Sequence, residues 1–461
     1  MNNIFSLLEV GKRAVQTNRL QMQVIGHNIA NADTEGYSRQ RANQKAASAM
    51  DMPGLGQAGT GVMIQEITRA RDILLDRQVR NEKSALGRWE GQDDLLNSIQ
   101  NIFTEPSELG FGNVLDEFWS AWGDIANDPE DIGGRSVLRQ RAVMLCQNLN
   151  DYDSDIKMLQ ENANAEVISL KNNLNQYAAQ IADLNKKIQI AENSGQNAND
   201  LRDQRDLLLD NLSEIIKVKI SDNNDGTVNI YLGGEIFIQG GEYRTLTTKL
   251  SSINGVVIDE LVWDGTYNNV VVDGGRLKGI MQFRDVDAID IRNRLDDFAD
   301  TLVNNVNGLH QGGYGLNGSM GISFFRSDTT GAGGIEVNPN ILNDLNNIAA
   351  GGSEAPGDNE NALAIAALAD AKLMNGGTQT LNEHYAATVS EVGARKESSG
   401  LYREQSEAVH LQMVNDRSAV SGVPLDEEMA DLIKFQQSFN AAAILVSTAN
   451  ELMTTIINLG K

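Results

Sequence analysis

Cysteine is nearly missing from this 461-residue chain. Cys146 stands alone, so no disulfide can form within it and stability has to come from packing. Aromatic residues make up only 5% of the sequence, which favours elongated helical packing over one large globular core. No stretch reaches the roughly 18 consecutive apolar residues of a membrane span. The N-terminus lacks the apolar core and small-residue cleavage site of a secretory signal. Positive charge is scarce as well: the net charge is -25, which excludes nucleic acid and anionic lipid as main partners. By ordinary rules such a chain stays in the cytoplasm, unless a route that needs no cleaved signal exports it. Residues 1–45 depart from the general acidity, with six basic side chains against three acidic ones. A basic amphipathic arm is one design for lying on a membrane. Here the polar face is mostly Asn, Gln and Thr, so no membrane insertion is expected.

What the chain does have is a pair of matched ends. Leu432, Phe435, Phe439, Ala442, Val446, Ala449, Met453 and Ile456 follow one another at alternating steps of three and four, the seam of a helix built to lie against another helix. About 34 residues at 1.5 Å each give a rod of roughly 50 Å. Ile4, Leu8, Gly11, Val15, Asn18, Met22, Ile25 and Ile29 repeat the spacing at the other end of the chain. The ends therefore read as a hairpin closed by its termini, an arrangement suited to proteins that assemble into tubes. A pair of helices alone has little surface to stay firmly folded, so ordering of the ends on assembly is expected.

Between the ends the pattern is helix, then strand, then helix. Asn31 and Gly36 should stop the first helix and turn the chain, residues 50–61 read as loop, and 62–67 as a short strand. Helical periodicity covers 69–103, 114–125, 135–194 and 201–216, with an eleven-residue step at Val167, Leu170 and Leu174. Short β-type runs punctuated by Gly pairs occupy 217–220, 227–232, 236–239, 256–263 and 269–272. Helix returns from 284, gives way to a Gly-, Asn- and Ser-rich loop at 312–358, and resumes at 362–374 and 378–420. The expected fold is mainly α with a β insert (α+β, multidomain). Residues 1–45 with 422–461 form a terminal coiled coil, 46–215 with 284–421 an elongated helical bundle, and 216–283 an inserted β domain.

Chemical motifs are few. Residues 221–226 resemble the start of a calcium loop, but Ser221 and Leu232 stand where its charged anchors belong, so a hairpin turn is the better reading. Residues 317–321 are half of a nucleophile elbow with no strand leading in. His27, His310, His384 and His410 lack metal-spaced neighbours, and Cys146 reads as a small buried residue. The Glu427-Glu428 pair stands where negative charge favours the start of the last helix. No catalytic constellation, cofactor site or metal site is expected.

Three stretches together resemble the axial flagellar proteins of rod, hook and hook-associated type. Asn28, Ile29, Ala30 and Asn31 with Thr34, Gly36, Tyr37 and Arg39 resemble the N-terminal signature of that superfamily. The tail from Ser421-Gly422-Val423 through Leu425-Asp426-Glu427-Glu428 to Phe435-Gln436-Gln437 is similar to the hook-associated protein 1 family, as are residues 378–392 and the Leu-Arg-Asp-Gln-Arg-Asp core of 199–212. The resemblance implies a structural subunit of the bacterial flagellum, in a ring of copies at the junction of hook and filament. It implies the hook protein and a second junction protein as neighbours, and unfolded export without a cleaved signal. It also implies an export chaperone on the last helix, at Phe435, Phe439, Val446 and Met453. Larger family members carry a second inserted domain after the Phe324-Phe325 region, for which 326–361 is too short. Two alternatives stay open: another axial subunit, either the second junction protein or a hook-type protein, and a surface-exposed binding module carried on a helical stalk.

Overall fold

The computed structural model describes residues 2–52, 56–103, 110–355 and 357–459. Two expected breaks, at Pro53 and Pro106, lie outside the described residues, as does the side chain of Ile4. Helix α1 (Asn2–Ala30) is followed by the strands β1 (Gln40–Ala46), β2 (Met50–Met52), β3 (Gly56–Ala58) and β4 (Val62–Arg69). The helical body then comprises α2 (Ile73–Phe103), α3 (Phe111–Asn127), α4 (Ile132–Asn193) and α5 (Asn199–Ile215). Six strands follow, β5 (Lys219–Asp222), β6 (Val228–Leu232), β7 (Glu235–Gln239), β8 (Glu242–Tyr243), β9 (Leu246–Ile253) and β10 (Val256–Trp263). The chain returns through α6 (Arg276–Gln282), α7 (Ala288–His310), the short α8 (Pro339–Asn343) and α9 (Glu360–Ala366). It closes on α10 (Leu381–Ser421) and α11 (Leu425–Leu459). The fold is mainly α with a β insert, as the pattern predicts.

The spine is α4, whose 62 residues span about 93 Å at 1.5 Å per residue. It starts where Asp131 accepts from the Gly133 and Gly134 N–H groups. Leu149, Ile156, Val167, Leu174, Ile181 and Ile188 are fully buried along it. One apolar core runs from its first half, through α2, α3 and α7, into the β insert, and no residue of α1 or α11 belongs to it. One cluster of aromatic side chains sits where the returning chain meets α3 and α7. Phe324 lies 5.2 Å from Trp122 and 5.0 Å from Phe325, ring centroid to centroid, with Phe118 and His310 beside them. The Gly-rich stretch 312–358 is therefore no surface tether: Phe324, Phe325, Ile341 and Ile348 are each fully buried against the body.

Several expectations need correcting. Residues 69–72 are not helical, because Arg69 closes β4, which pairs antiparallel with the unexpected β1. Strand β9 (LTTKLSSI) carries no alternating apolar pattern and is held by its pairing with β10. Residues 269–272 form a single bridge to Val262 rather than a strand. Residues 50–61 contain the small β2–β3 hairpin. The helix expected over 362–374 ends at Ala366 and continues only as a short 3₁₀ turn. The insert is two antiparallel sheets, one of order β5-β6-β7-β8 and one of β9 with β10. A π turn over Phe283–Asp287 joins α6 to α7, where the buried Arg284 guanidinium reaches Asn164 Oδ1 at 2.8 Å and Asp259 O at 3.1 Å.

Candidate functional site

The two ends meet. Gly11 faces Val446, whose Cγ2 would lie 2.8 Å from a Cβ at position 11, and Asn28 bonds to Glu428. Those two contacts fix an antiparallel register in which positions on α1 and α11 sum to about 457. At Gly11 the α11 backbone comes close as well, with Val446 N 3.5 Å from where a Cβ would stand, so the missing side chain matters here. Along the seam Ile25, Ala442 and Ala449 are buried, and Leu8, Val15, Met22, Ile29, Leu432, Phe435, Phe439, Val446 and Met453 are half-buried. Ile456 departs from the expected seam and is 44% exposed.

Around the pair apolar side chains are left uncovered. Leu425, Met429, Ile433, Ile444, Leu452 and Ile457 on α11, and Phe5 on α1, are all exposed. Another face of α1 carries the β1–β4 hairpin, where Gln21 Nε2 donates to Ala42 O at 2.7 Å and Thr17 Oγ1 to Val62 O at 3.4 Å.

At one end of the pair the signature residues build a polar joint. Asn28 is 1% exposed and uses its whole amide. Its Oδ1 accepts from Tyr37 OH (2.8 Å) and Gln40 N (2.9 Å), and its Nδ2 donates to Gln40 O (2.9 Å) and Glu428 Oε2 (3.0 Å). Burial, then the carboxylates of Asp200, Asp203 and Glu428, raise the Tyr37 pKa, so its phenol stays neutral and can donate. Gly36 turns the chain at φ +79°, a conformation that favours glycine, with Leu207 against it. Arg39 holds the tail: its NH1 lies 2.8 Å from Glu427 Oε2 and its Nε 2.7 Å from Glu428 Oε1. Its backbone N–H donates to Ser421 O and its carbonyl accepts from Ala70 N, so one residue ties the α10–α11 break to the start of α2. Asn31 closes α1 by donating to His27 O at 2.9 Å, and Thr34 Oγ1 reaches Asn31 Oδ1 at 3.4 Å. Ala30 is exposed at the helix end.

The other wall of the joint is α5. Asp200, Asp203, Asp206 and Asp210 recur at steps of three and four, so they share one helix face. Asp203 accepts from Ser38 N (3.0 Å) and Ser38 Oγ (2.7 Å) and pairs with Arg69 at 2.7 Å. Asp206 is shared by Arg69 (2.8 Å), Arg71 (3.2 Å) and Arg80 (3.3 Å). Asp210 takes Arg80 at 2.7 Å and, from α10, Arg417 at 2.6 Å. Burial alone would raise the Asp206 pKa, but the guanidinium groups of Arg71, Arg69 and Arg80 outweigh it and hold the carboxyl below the ordinary range. In the sequence the Leu-Arg-Asp-Gln-Arg-Asp run stands out, but its ion partners do not. The three- and four-step recurrence of acids was the available signal.

Among the described residues no group of His, Cys, Asp and Glu is placed to hold a metal. Burial pushes the Cys146 thiol up to about 12, leaving it protonated. His310 is a packing residue: its Nδ1 faces Ile322 O at 2.7 Å and its Nε2 accepts from Ala349 N at 2.9 Å. The Asp225-Gly226 run is a hairpin turn in which Asp225 Oδ1 accepts from Thr227 N and Oγ1. Among the described residues no helix is long and apolar enough to cross a membrane.

Comparison with known proteins matches this arrangement piece by piece. The helical domain of flagellar hook-associated protein FlgK matches residues 96–325. The flagella basal body rod protein family matches residues 8–37, and the C-terminal family of the basal body rod FlgEFG proteins matches 417–459. Families of flagellar axial proteins thus match both end helices and the helical body between them. Flagellar hook-associated protein 1 of Bacillus subtilis is 28% identical over 510 aligned positions, covering 99% of each chain. That of Escherichia coli is 24% identical over 551 positions, covering 100% of this chain and 99% of the relative. Together these matches support a hook-associated axial subunit of the FlgK type, a structural part of the flagellum. Both alignments are longer than 461 residues, so these relatives carry segments that this chain lacks. The solved flagellar hook junction protein FlgK from Burkholderia pseudomallei shares the fold, with a TM-score of 0.67 at 15% identity over 75% of this chain and 100% of that one.

Proposed function

We propose that this subunit forms a ring of copies at the junction of hook and filament and is needed for the filament to assemble. The observation that carries the reading is the set of apolar side chains left uncovered along the terminal helix pair. A soluble monomer gains nothing from exposed Ile, Leu and Met along a rod. A tube wall made of such pairs buries them. In this reading 1–45 with 422–461 lines the tube, 46–215 with 284–421 lies outside it, and 216–283 is the outward insert. The hook protein and a second junction protein are the axial neighbours. The segment that the longer relatives possess is placed after Phe325, leaving this subunit a smaller outer surface. The role is mechanical and neither catalysis nor a cofactor is involved.

Location at the flagellum outside the cell follows, with export as an unfolded chain through the flagellar route and no cleaved signal. The chaperone candidates Phe435, Phe439, Val446 and Met453 face α1 in the folded pair. A chaperone on that stripe therefore competes with α1 and must leave before the pair closes. Electron microscopy of flagella from a strain lacking this chain tests the role: hooks without filaments are expected. Normal filaments on normal hooks would refute it.

A further inference from the structure

A cavity of about 380 Å³ opens between α2, α5 and β5, next to the polar joint. Its walls carry eight basic side chains and three acidic ones, in a chain whose net charge is -25. Arg69, Arg71 and Arg80 are matched by the α5 carboxylates, and Arg202 by Glu192 at 2.6 Å. The remaining four are not matched. Arg77, Lys217 and Lys219 stand exposed at the rim with no ion pair among the described residues. Arg205 is 2% exposed; its NH1 donates to two neutral acceptors, Asn185 Oδ1 and Gly226 O, and its Nε has no hydrogen-bond partner. Burial lowers its pKa to about 10, the mark of a guanidinium short of counter-charge.

The remaining wall is the strand itself. β5 ends its sheet and pairs only with β6, so one of its edges is open. Ile73, Leu209, Val218 and Ile220 line the cavity with apolar surface beside that edge.

We propose that this cleft binds an acidic peptide segment in extended conformation, which pairs along the open edge of β5 and places carboxylates between Arg205 and the rim of Arg77, Lys217 and Lys219. An extended peptide satisfies edge N–H and C=O groups, and its alternate side chains enter the cavity. Arg–carboxylate pairing in a partly buried site gives the geometry its selectivity. The donor is a neighbouring subunit of the axial assembly, a clause that rests on the proposed flagellar role; the peptide chemistry does not. Because Arg69, Arg71 and Asp206 belong to both cleft and joint, the docked segment braces the joint from outside.

The test titrates the full-length chain at low salt with hexaglutamate peptide, hexaglutamine peptide and inorganic phosphate. Hexaglutamate should bind about tenfold more tightly than hexaglutamine and lose that advantage as salt rises. Arg77→Glu combined with Lys219→Glu should abolish the difference without altering the thermal melt, since both side chains are exposed. Equal binding of the two peptides, retained binding in the double variant, or binding of phosphate without hexaglutamate would each overturn the proposal. The titration uses the isolated chain, so its failure leaves the flagellar role standing, and a failure of that role leaves the titration interpretable.

Discussion

The helical body and the terminal pair are both made of long helices, yet they are held by different means. In α3 alone nine residues are buried, among them Phe111, Phe118, Trp119 and Trp122. In α11, twice as long, the buried residues are Ala442, Ala449 and Glu428. Burial of large apolar side chains contributes about 1.5–3 kcal/mol each, and a buried Ala far less. The body therefore has its own core, whereas the pair has a thin seam, a polar anchor at one end and uncovered apolar side chains. A segment organised this way is stable in proportion to what surrounds it. That is what an axial subunit needs: a part that folds alone, and a part that becomes firm only in the wall of the tube.

Three changes bear on that contrast. Phe324→Ala should cost the body about 3–5 kcal/mol in denaturant unfolding, because Phe324 is fully buried among Trp122, Phe325 and His310. The α1–α11 pair should not register it. Acid comes next. Burial holds the His310 pKa down at about 4 against an ordinary 6.5. The unfolded chain thus takes up a proton that the native one refuses, and stability falls as pH drops from about 6.5 to about 4, by about 3 kcal/mol in all. Asp206 runs in a lower window. Its folded pKa is depressed, so its contribution is complete above the ordinary carboxylate range and is lost only as pH falls below it. At pH 5 the body should be weakened while the joint's ion network is intact, which unfolding followed separately by Trp fluorescence and by a label on α11 would resolve. Arg39→Ala should cost about 3 kcal/mol, since it strands the buried Glu428 carboxylate. That loss should appear in local exchange around residues 421–428 and leave the melting of the body unchanged. Loss of the body's cooperative melt on Arg39→Ala would break the contrast.

The sequence carried the long helices and the seam openly, because helical period survives wherever one face is buried along its length. The stripes of Leu8, Val15, Met22 and Ile25 and of Leu432, Phe435, Phe439 and Ala449 stand out by spacing alone. Strands β1 and β9 were hidden, since QRANQKA and LTTKLSSI present no alternating apolar face. The packing of 312–358 was hidden too: its order comes from Phe324, Phe325 and the His310 bonds to Ile322 and Ala349, not from a period. The joint was half legible. Its signature residues stood out locally, but Asn28 meets Glu428 and Arg39 meets Glu427 across some 400 residues of chain, and no local pattern encodes a pairing of that range.

Amide hydrogen exchange of the terminal helices, in the isolated chain and in the assembled flagellum, tests the central claim most directly. The account predicts weak protection of 1–30 and 430–458 in the dilute chain and strong protection in the assembly, with 132–193 protected in both. Strong protection of both ends in the dilute chain would contradict it.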